Sequence, residues 1–182
     1  ASGSAAIHAG MNMIRAGQAR TVLIVGAEKM TSRSTKEVTQ ALAGAGYQND
    51  PAEASLSFPQ VFGVAARDYD ARYGSPLDAM AKIAVKNHAN AMSNPLAHMH
   101  KEFTFEHCST VSEMNPEIAP PLRLTDCSLV TDGAAALILT TDENAANFPK
   151  SVAMRAAEHV NDFLPMSRRD FLAFEGPERA FA

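Results

Sequence analysis

Two short apolar runs, more than a hundred residues apart, constrain this 182-residue chain more than any other feature. The first is Thr21-Val22-Leu23-Ile24-Val25, stopped by Gly26. The second is Ala134 to Leu139, preceded by the turn pair Asp132-Gly133. Both are too short for helices and have the continuous apolar character of strands buried on both faces. Ahead of the first run, Ser2-Gly3-Ser4 opens a helix in which Ile7, Met11 and Ile14 recur at helical spacing, and Gly17 stands as its C′ residue. Helix then strand is the second half of a βαβ unit. The chain is therefore expected to begin inside a unit of structure whose first strand it does not contain.

Between the runs the pattern is mostly helical. Residues 31–58 are rich in Ser, Thr, Gly, Ala and Asn and read as irregular connections with room for one short helix. Pro59 to Tyr73 predicts a helix ended by Gly74. Ser75-Pro76 starts another, with Asp78 in its first turn and Leu77, Met80, Ile83 and Ala84 as its apolar stripe. Asn94-Pro95 breaks it, and Pro116, Pro120 and Pro121 interrupt the mixed stretch over 96–125. Beyond the second run a third strand is expected over 151–160, a short helix near 167–174, and a break at Gly176-Pro177. The fold class is α/β, with an insertion between two sheet strands that is long enough to be a functional cap.

At 46% hydrophobic and 20% charged the composition is that of a globular domain, not a disordered one. The net charge is −4 with no basic block, which argues against nucleic acid and anionic membrane as partners. No apolar run reaches the ~20 residues of a membrane helix, and Ala1–Ala6 carries no basic leader pattern. Two cysteines with neither CxxC spacing nor a disulfide framework suit a reduced, cytosol-like compartment.

Three stretches in order carry a family resemblance. Ala1-Ser2-Gly3-Ser4-Ala5-Ala6, with the later Gly26-Ala27-Glu28-Lys29-Met30-Thr31, resembles the segment that follows the nucleophilic cysteine of thiolases. Pro59-Gln60-Val61-Phe62-Gly63-Val64-Ala65-Ala66, continuing to Tyr73-Gly74 and Lys86-Asn87-His88, resembles the loop domain of sterol-carrier-type thiolases. Leu122-Arg123-Leu124-Thr125-Asp126-Cys127-Ser128, running on to Asp132-Gly133-Ala134-Ala135-Ala136, resembles the family's Ser-x-x-x-Asp-Gly-Ala-Ala segment. The resemblance implies a layered αβα thiolase-like fold divided into an N-terminal thiolase domain (1–30), a loop or cap domain (31–125), a return to the N-terminal domain (126–148) and the start of a C-terminal domain (149–182).

The resemblance also implies chemistry. The nucleophile is expected immediately before Ala1, so no catalytic residue is expected within the chain, and the family's His-bearing motifs lie outside it. Ser2 and Gly3 are expected at the helix N-terminus beneath the thiol, where free N–H groups lower a thiol pKa and stabilise an oxyanion. Ser2 and Ser4 serve equally as plain N-cap residues. Ser128 aligns with a serine that binds the pantetheine arm of coenzyme A, and Phe62 and Gly63 align with the channel lining. Phe62 also suits an ordinary core position. Coenzyme A enters as substrate, with no cofactor and no metal. Implied partners are acyl-CoA, a second copy in a homodimer, and a small acyl-CoA-binding protein. The implied compartment is the cytoplasm, or the peroxisome in a eukaryote.

The alternatives are a thiolase-fold retro-aldolase and an inactive acyl-CoA-binding homologue. Glu28 is read as structural, and Cys108 and Cys127 as inert apolar fillers. His98, His100 and His107 lack the pattern of a metal site. His88 stands beside Lys86-Asn87 at a helix end, where CoA phosphates could lie.

Overall fold

The computed structural model describes residues 2–182 and divides into two compact units. The first comprises residues up to Arg33, Val130–Asp162 and Glu175–Ala182. The second comprises Ser34–Leu129 and Phe163–Phe174.

The first unit opens with α1 (Ser2–Arg15), which is closed by Gly17 at φ 69°. Gly17 N–H bonds to Ile14 O and Gln18 N–H to Met13 O, so a glycine that tolerates positive φ lets the helix end satisfy its carbonyls. The chain then reverses into β1 (Thr21–Glu28). β1 pairs antiparallel with a strand from much later in the sequence, Gly133–Thr140, in register from Thr21 opposite Thr140 to Glu28 opposite Gly133. The two apolar runs thus share one sheet. They are not buried on both faces: Leu23 is 62% exposed, Val25 61% and Ile138 52%. α1 packs against this ribbon, and a sheet of only two strands leaves apolar side chains open.

Gly10 sets how close α1 comes. A Cβ there would sit 2.8 Å from Ile24 Cδ1 and 3.1 Å from Leu139 Cδ1.

The second unit follows the expected helical order with more pieces. The stretch 31–58, read as irregular connections with room for one short helix, holds two, α2 (Thr35–Ala43) and α3 (Pro51–Ala54). A Ser34–Glu37 capping box starts α2 and Asp50 caps α3, so the Ser and Asp of this polar stretch act as helix starts. α4 (Phe58–Tyr73) begins with a second capping box, Ser57–Gln60, and ends at Gly74 with φ 89°. α5 (Leu77–Ala91) and α6 (Phe105–Ser109) come next, and Ala81, Ala84 and Cys108 form a small buried core. A short hairpin of β2 (Glu117–Ala119) and β3 (Leu122–Arg123) turns through a cis Pro120-Pro121 bond.

The later strand of the ribbon is β4, followed by α7 (Asp142–Ala145). The strand expected over 151–160 does not form: the segment is irregular, and Val152 is 97% exposed. Its apolar residues find no partner strand among the described residues. The helix expected near 167–174 is two 3-10 turns, Met166–Arg168 and Phe171–Ala173. Gly176-Pro177 is not a break. It lies in the first turn of α8 (Glu175–Phe181), where proline lacks only an N–H that has no helical partner anyway. Among the described residues no helix is long and apolar enough to cross a membrane.

Candidate functional site

Because α1 turns back directly into β1, its N-terminus lies at the Glu28–Gly133 end of the ribbon. Helix and strand have comparable lengths, about 21 and 26 Å. Ser2, Gly3 and Ser4 form the first turn, and all three are exposed. No acidic side chain stands in that turn to offset the positive end of the helix dipole. A Cβ on Gly3 would meet nothing within 4 Å, so the backbone there is open to close approach. Ala1, and with it the start of the small-residue motif, lies outside the described residues.

At the same end of the ribbon Asp132 closes the loop after β1. Its carboxylate accepts from Met30 N–H at 2.7 Å and Thr31 N–H at 2.9 Å, and also from the Thr31 hydroxyl and the Lys29 ammonium. Lys29, then Thr31, hold this carboxyl well below the usual carboxylate range. Sequence reasoning took Asp132-Gly133 as a turn and missed the clamp. The hydroxyl and ammonium side chains of Thr31 and Lys29, just beyond the strand, were the available signal. Glu28 is exposed, with an Oε1 3.0 Å from Lys29 N.

In the second unit α4 carries Phe62 and Gly63. Phe62 is 52% exposed. Gly63 is buried, and its missing side chain faces backbone: a Cβ would lie 2.9 Å from Ala119 O and 3.0 Å from Pro120 O. Gly63 thus lets α4 dock on the hairpin turn, where Arg67 also donates to Pro120 O.

Ser128 is exposed and follows a fastened segment. Arg123, 3% exposed, donates through Nη2 to Leu77 O at 3.0 Å and through Nε to Asp126 at 3.0 Å. Asn115, fully buried, donates from Nδ2 to His107 O at 2.9 Å and Thr110 O at 3.3 Å, and accepts Thr125 N–H at 3.0 Å. This buried amide, flanked by Met114 and Pro116, was not singled out in the sequence; nothing in the local pattern marks it.

Burial pushes up the thiols of both Cys108 and Cys127, and Asp126 adds to the rise at Cys127. Neither site favours a thiolate. His100 Nε2 lies 2.7 Å from Asn94 O, His107 stacks on Phe103, and His88 meets the same ring edge-on. Phe62, Gly63 and Ser128 therefore belong to one unit, and Ser2 and Gly3 to the other.

The family model for the thiolase N-terminal domain matches residues 1–114. Over 182 residues the chain is 31% identical to an acetyl-CoA acetyltransferase of Methanothermobacter thermautotrophicus, covering 99% of this chain and 46% of that protein. It is 29% identical to human sterol carrier protein 2, covering 92% of this chain and 31% of that protein. The chain thus spans less than half the length of these curated relatives. A solved structure described as an Ltp2-ChsH2(DUF35) aldolase superposes with a TM-score of 0.56 at 23% identity, over 81% of this chain and 37% of the other, which is a likeness of fold alone.

Proposed function

We propose, from the premise that the chain belongs to the thiolase family, that it supplies part of the active site of an acyl-CoA thiolase, an enzyme of fatty-acyl or sterol side-chain metabolism. The observation that carries this reading is the α1 N-terminus: exposed, free of acidic side chains, and set at the clamped end of the ribbon. A cysteine placed immediately before Ala1 would have its thiolate favoured by the free N–H groups and the dipole of this helix start. In the reaction the thiolate attacks the keto carbon of a 3-ketoacyl-CoA. The bond between the α and β carbons breaks, acetyl-CoA leaves with a proton on its former α carbon, and free CoA takes the acyl group from sulfur. Ser2 and Gly3 contribute N–H groups toward the developing oxyanion. Ser128, exposed at the end of the Arg123–Asp126 segment, meets the pantetheine arm, and Phe62 lines its path.

The first unit, with β1 and β4, acts as part of the thiolase core domain, and Ser34–Leu129 of the second as the inserted loop domain. Open apolar residues on the ribbon favour a homodimer in the intact protein, and the two free thiols favour a reducing compartment such as the cytoplasm.

The test is CoA binding by the 182-residue chain, followed by thiolysis in a chain extended across both flanks. Saturable CoA binding weakened by Ser128→Ala, with thiolysis in the extended chain, supports the reading. Cleavage of a 3-hydroxyacyl-CoA without thiolysis would move the chemistry to the retro-aldol class. Absence of CoA binding would sink the site assignment.

A further inference from the structure

Residues 163–174 cross α3 and α4 of the second unit as a strap held by polar contacts. Met166 N–H donates to Glu53 Oε2 at 2.8 Å, and the Ser167 hydroxyl to Asp50 at 3.3 Å. Arg72 grips Asp170 through both guanidinium nitrogens, at 2.7 and 3.1 Å. Glu53 is only 6% exposed, and its other oxygen accepts Tyr47 N–H at 3.1 Å. A buried carboxylate satisfied by two backbone N–H groups is an anchor, so the strap has a built attachment. Beneath it lies a cavity of about 570 Å³. That size falls within the ~300–1,000 Å³ of small-molecule sites.

The cavity walls are apolar: Leu56, Val61, Val64, Met166 and Phe171. Its border is acidic. The carboxylates of Asp50, Glu53, Asp68 and Asp170 stand there against the guanidinium groups of Arg72 and Arg169, four negative charges to two positive. Three of the four carboxylates are taken up by the strap contacts. Asp68 is not: it is exposed, and its carboxylate meets no donor among the described residues. Arg72, one turn further along α4, gives both its nitrogens to Asp170 instead. Val61, Val64 and Asp68 stand at i, i+3 and i+7 and so share one face of α4, two apolar side chains followed by an unpaired negative charge.

This arrangement selects by the sign of charge. An apolar molecule with an anionic head would bring that head to a border already in negative excess. An organic cation gains on both counts. Its hydrocarbon body displaces water from the walls, and its ammonium stays at the solvated rim, donating to Asp68 without the cost of burying a charge. A bare metal ion would leave the walls unused, and no metal-holding cluster of His, Cys, Asp and Glu occurs among the described residues.

We propose that the cavity under the strap binds a small primary ammonium compound with an apolar body, and that Asp68 is its counter-ion. The inference goes beyond the acyl-CoA reading and does not depend on it.

The test is a chemical-shift titration of the 182-residue chain by NMR with three probes that share one body: phenylbutylamine, phenylbutanol and phenylbutyrate. The amine is expected to bind roughly three- to fivefold tighter than the alcohol, the gain of an exposed ion pair, and the acid more weakly than either. Asp68→Asn should bring the amine to within about twofold of the alcohol and leave the alcohol unchanged. Val64→Trp, which fills the cavity, should abolish binding of all three, and Met166→Trp repeats that test if Val64→Trp no longer unfolds cooperatively. Absence of amine binding, phenylbutyrate bound as tightly as the amine, an amine preference that survives Asp68→Asn, or binding unchanged in a folded, filled variant each overturns the proposal.

Discussion

Replacing Asn115 by Ala removes a side chain that serves several backbone groups at once. Its Nδ2 reaches His107 O and Thr110 O, and its Oδ1 receives Thr125 N–H. The residue is 0% exposed, so water cannot replace the lost partners without opening the structure. An unpaired buried group costs about 1–3 kcal/mol. Thr125 N–H counts in full, and the two carbonyls count for less because a carbonyl tolerates under-satisfaction better than an N–H. The expected loss is about 3–4 kcal/mol, a large share of the ~5–15 kcal/mol that holds a domain together. Asn115→Asp keeps the acceptor for Thr125 but loses both donations and places a charge in a buried site, so it should be no better. Urea unfolding followed by far-UV circular dichroism measures the effect as a lower midpoint at constant slope. A loss below ~1 kcal/mol for Asn115→Ala would refute the claim that this amide holds α6 to the segment before Ser128.

Three further outcomes are expected. Asp132 has its carboxyl lowered by Lys29 and Thr31, so its contribution is complete above the unfolded carboxylate value of ~3.9 and is lost as pH falls below it; Asp132→Asn should flatten the acid limb of stability against pH below ~4, and an unchanged limb would discount the clamp. Gly63→Ala gains ~1 kcal/mol of helix propensity but forces a Cβ against two backbone oxygens that cannot rotate away, a ~1–3 kcal/mol overpacking cost, so urea titration should show net destabilisation, and a stabilised variant would show the helix free to shift. The 182-residue chain assayed with a 3-ketoacyl-CoA and CoA should show no thiolysis, because uniform binding accelerates nothing without nucleophile and base; activity that vanished on alkylating Cys127 would show that thiol to be the nucleophile after all.

Periodicity alone was enough to read both strands of the ribbon, α1 with its Gly17 stop, and the helices that became α4 and α5. Their signals are local: apolar spacing and a glycine at positive φ. The strand expected at 151–160 shows the limit of that reasoning. Its residues have strand character, but a strand exists only when a neighbour supplies its hydrogen bonds, and Val152 stands almost fully exposed. Around the candidate site the same division holds. Small residues at an exposed helix start could be read from Ser2-Gly3-Ser4. The clamp on Asp132 left only Thr31 and Lys29 as a local signal, because its four donors come from about a hundred positions earlier. Gly63 was legible as a glycine of interest, but its contact with the carbonyls of Ala119 and Pro120 depends on where a distant hairpin turns.

The pairing of Thr21 with Thr140 also sets an order in time. These residues are 119 positions apart. At ~5–20 residues per second on the ribosome, β1 waits roughly 6–24 s for its partner to be made. Local contacts form within microseconds to milliseconds, so α4, α5 and the hairpin have time to assemble first. Once they have, the stretch between the two strands is a folded body instead of a loose loop, and less chain entropy remains to be lost when Asp132 meets Thr31. Throughout the wait Leu23, Ile24 and Val25 form a bare, β-prone segment. Anything that slows synthesis between Ser34 and Leu129 lengthens that exposure, so a chaperone that shields β1 during those seconds should raise the yield of folded protein more than one supplied after release.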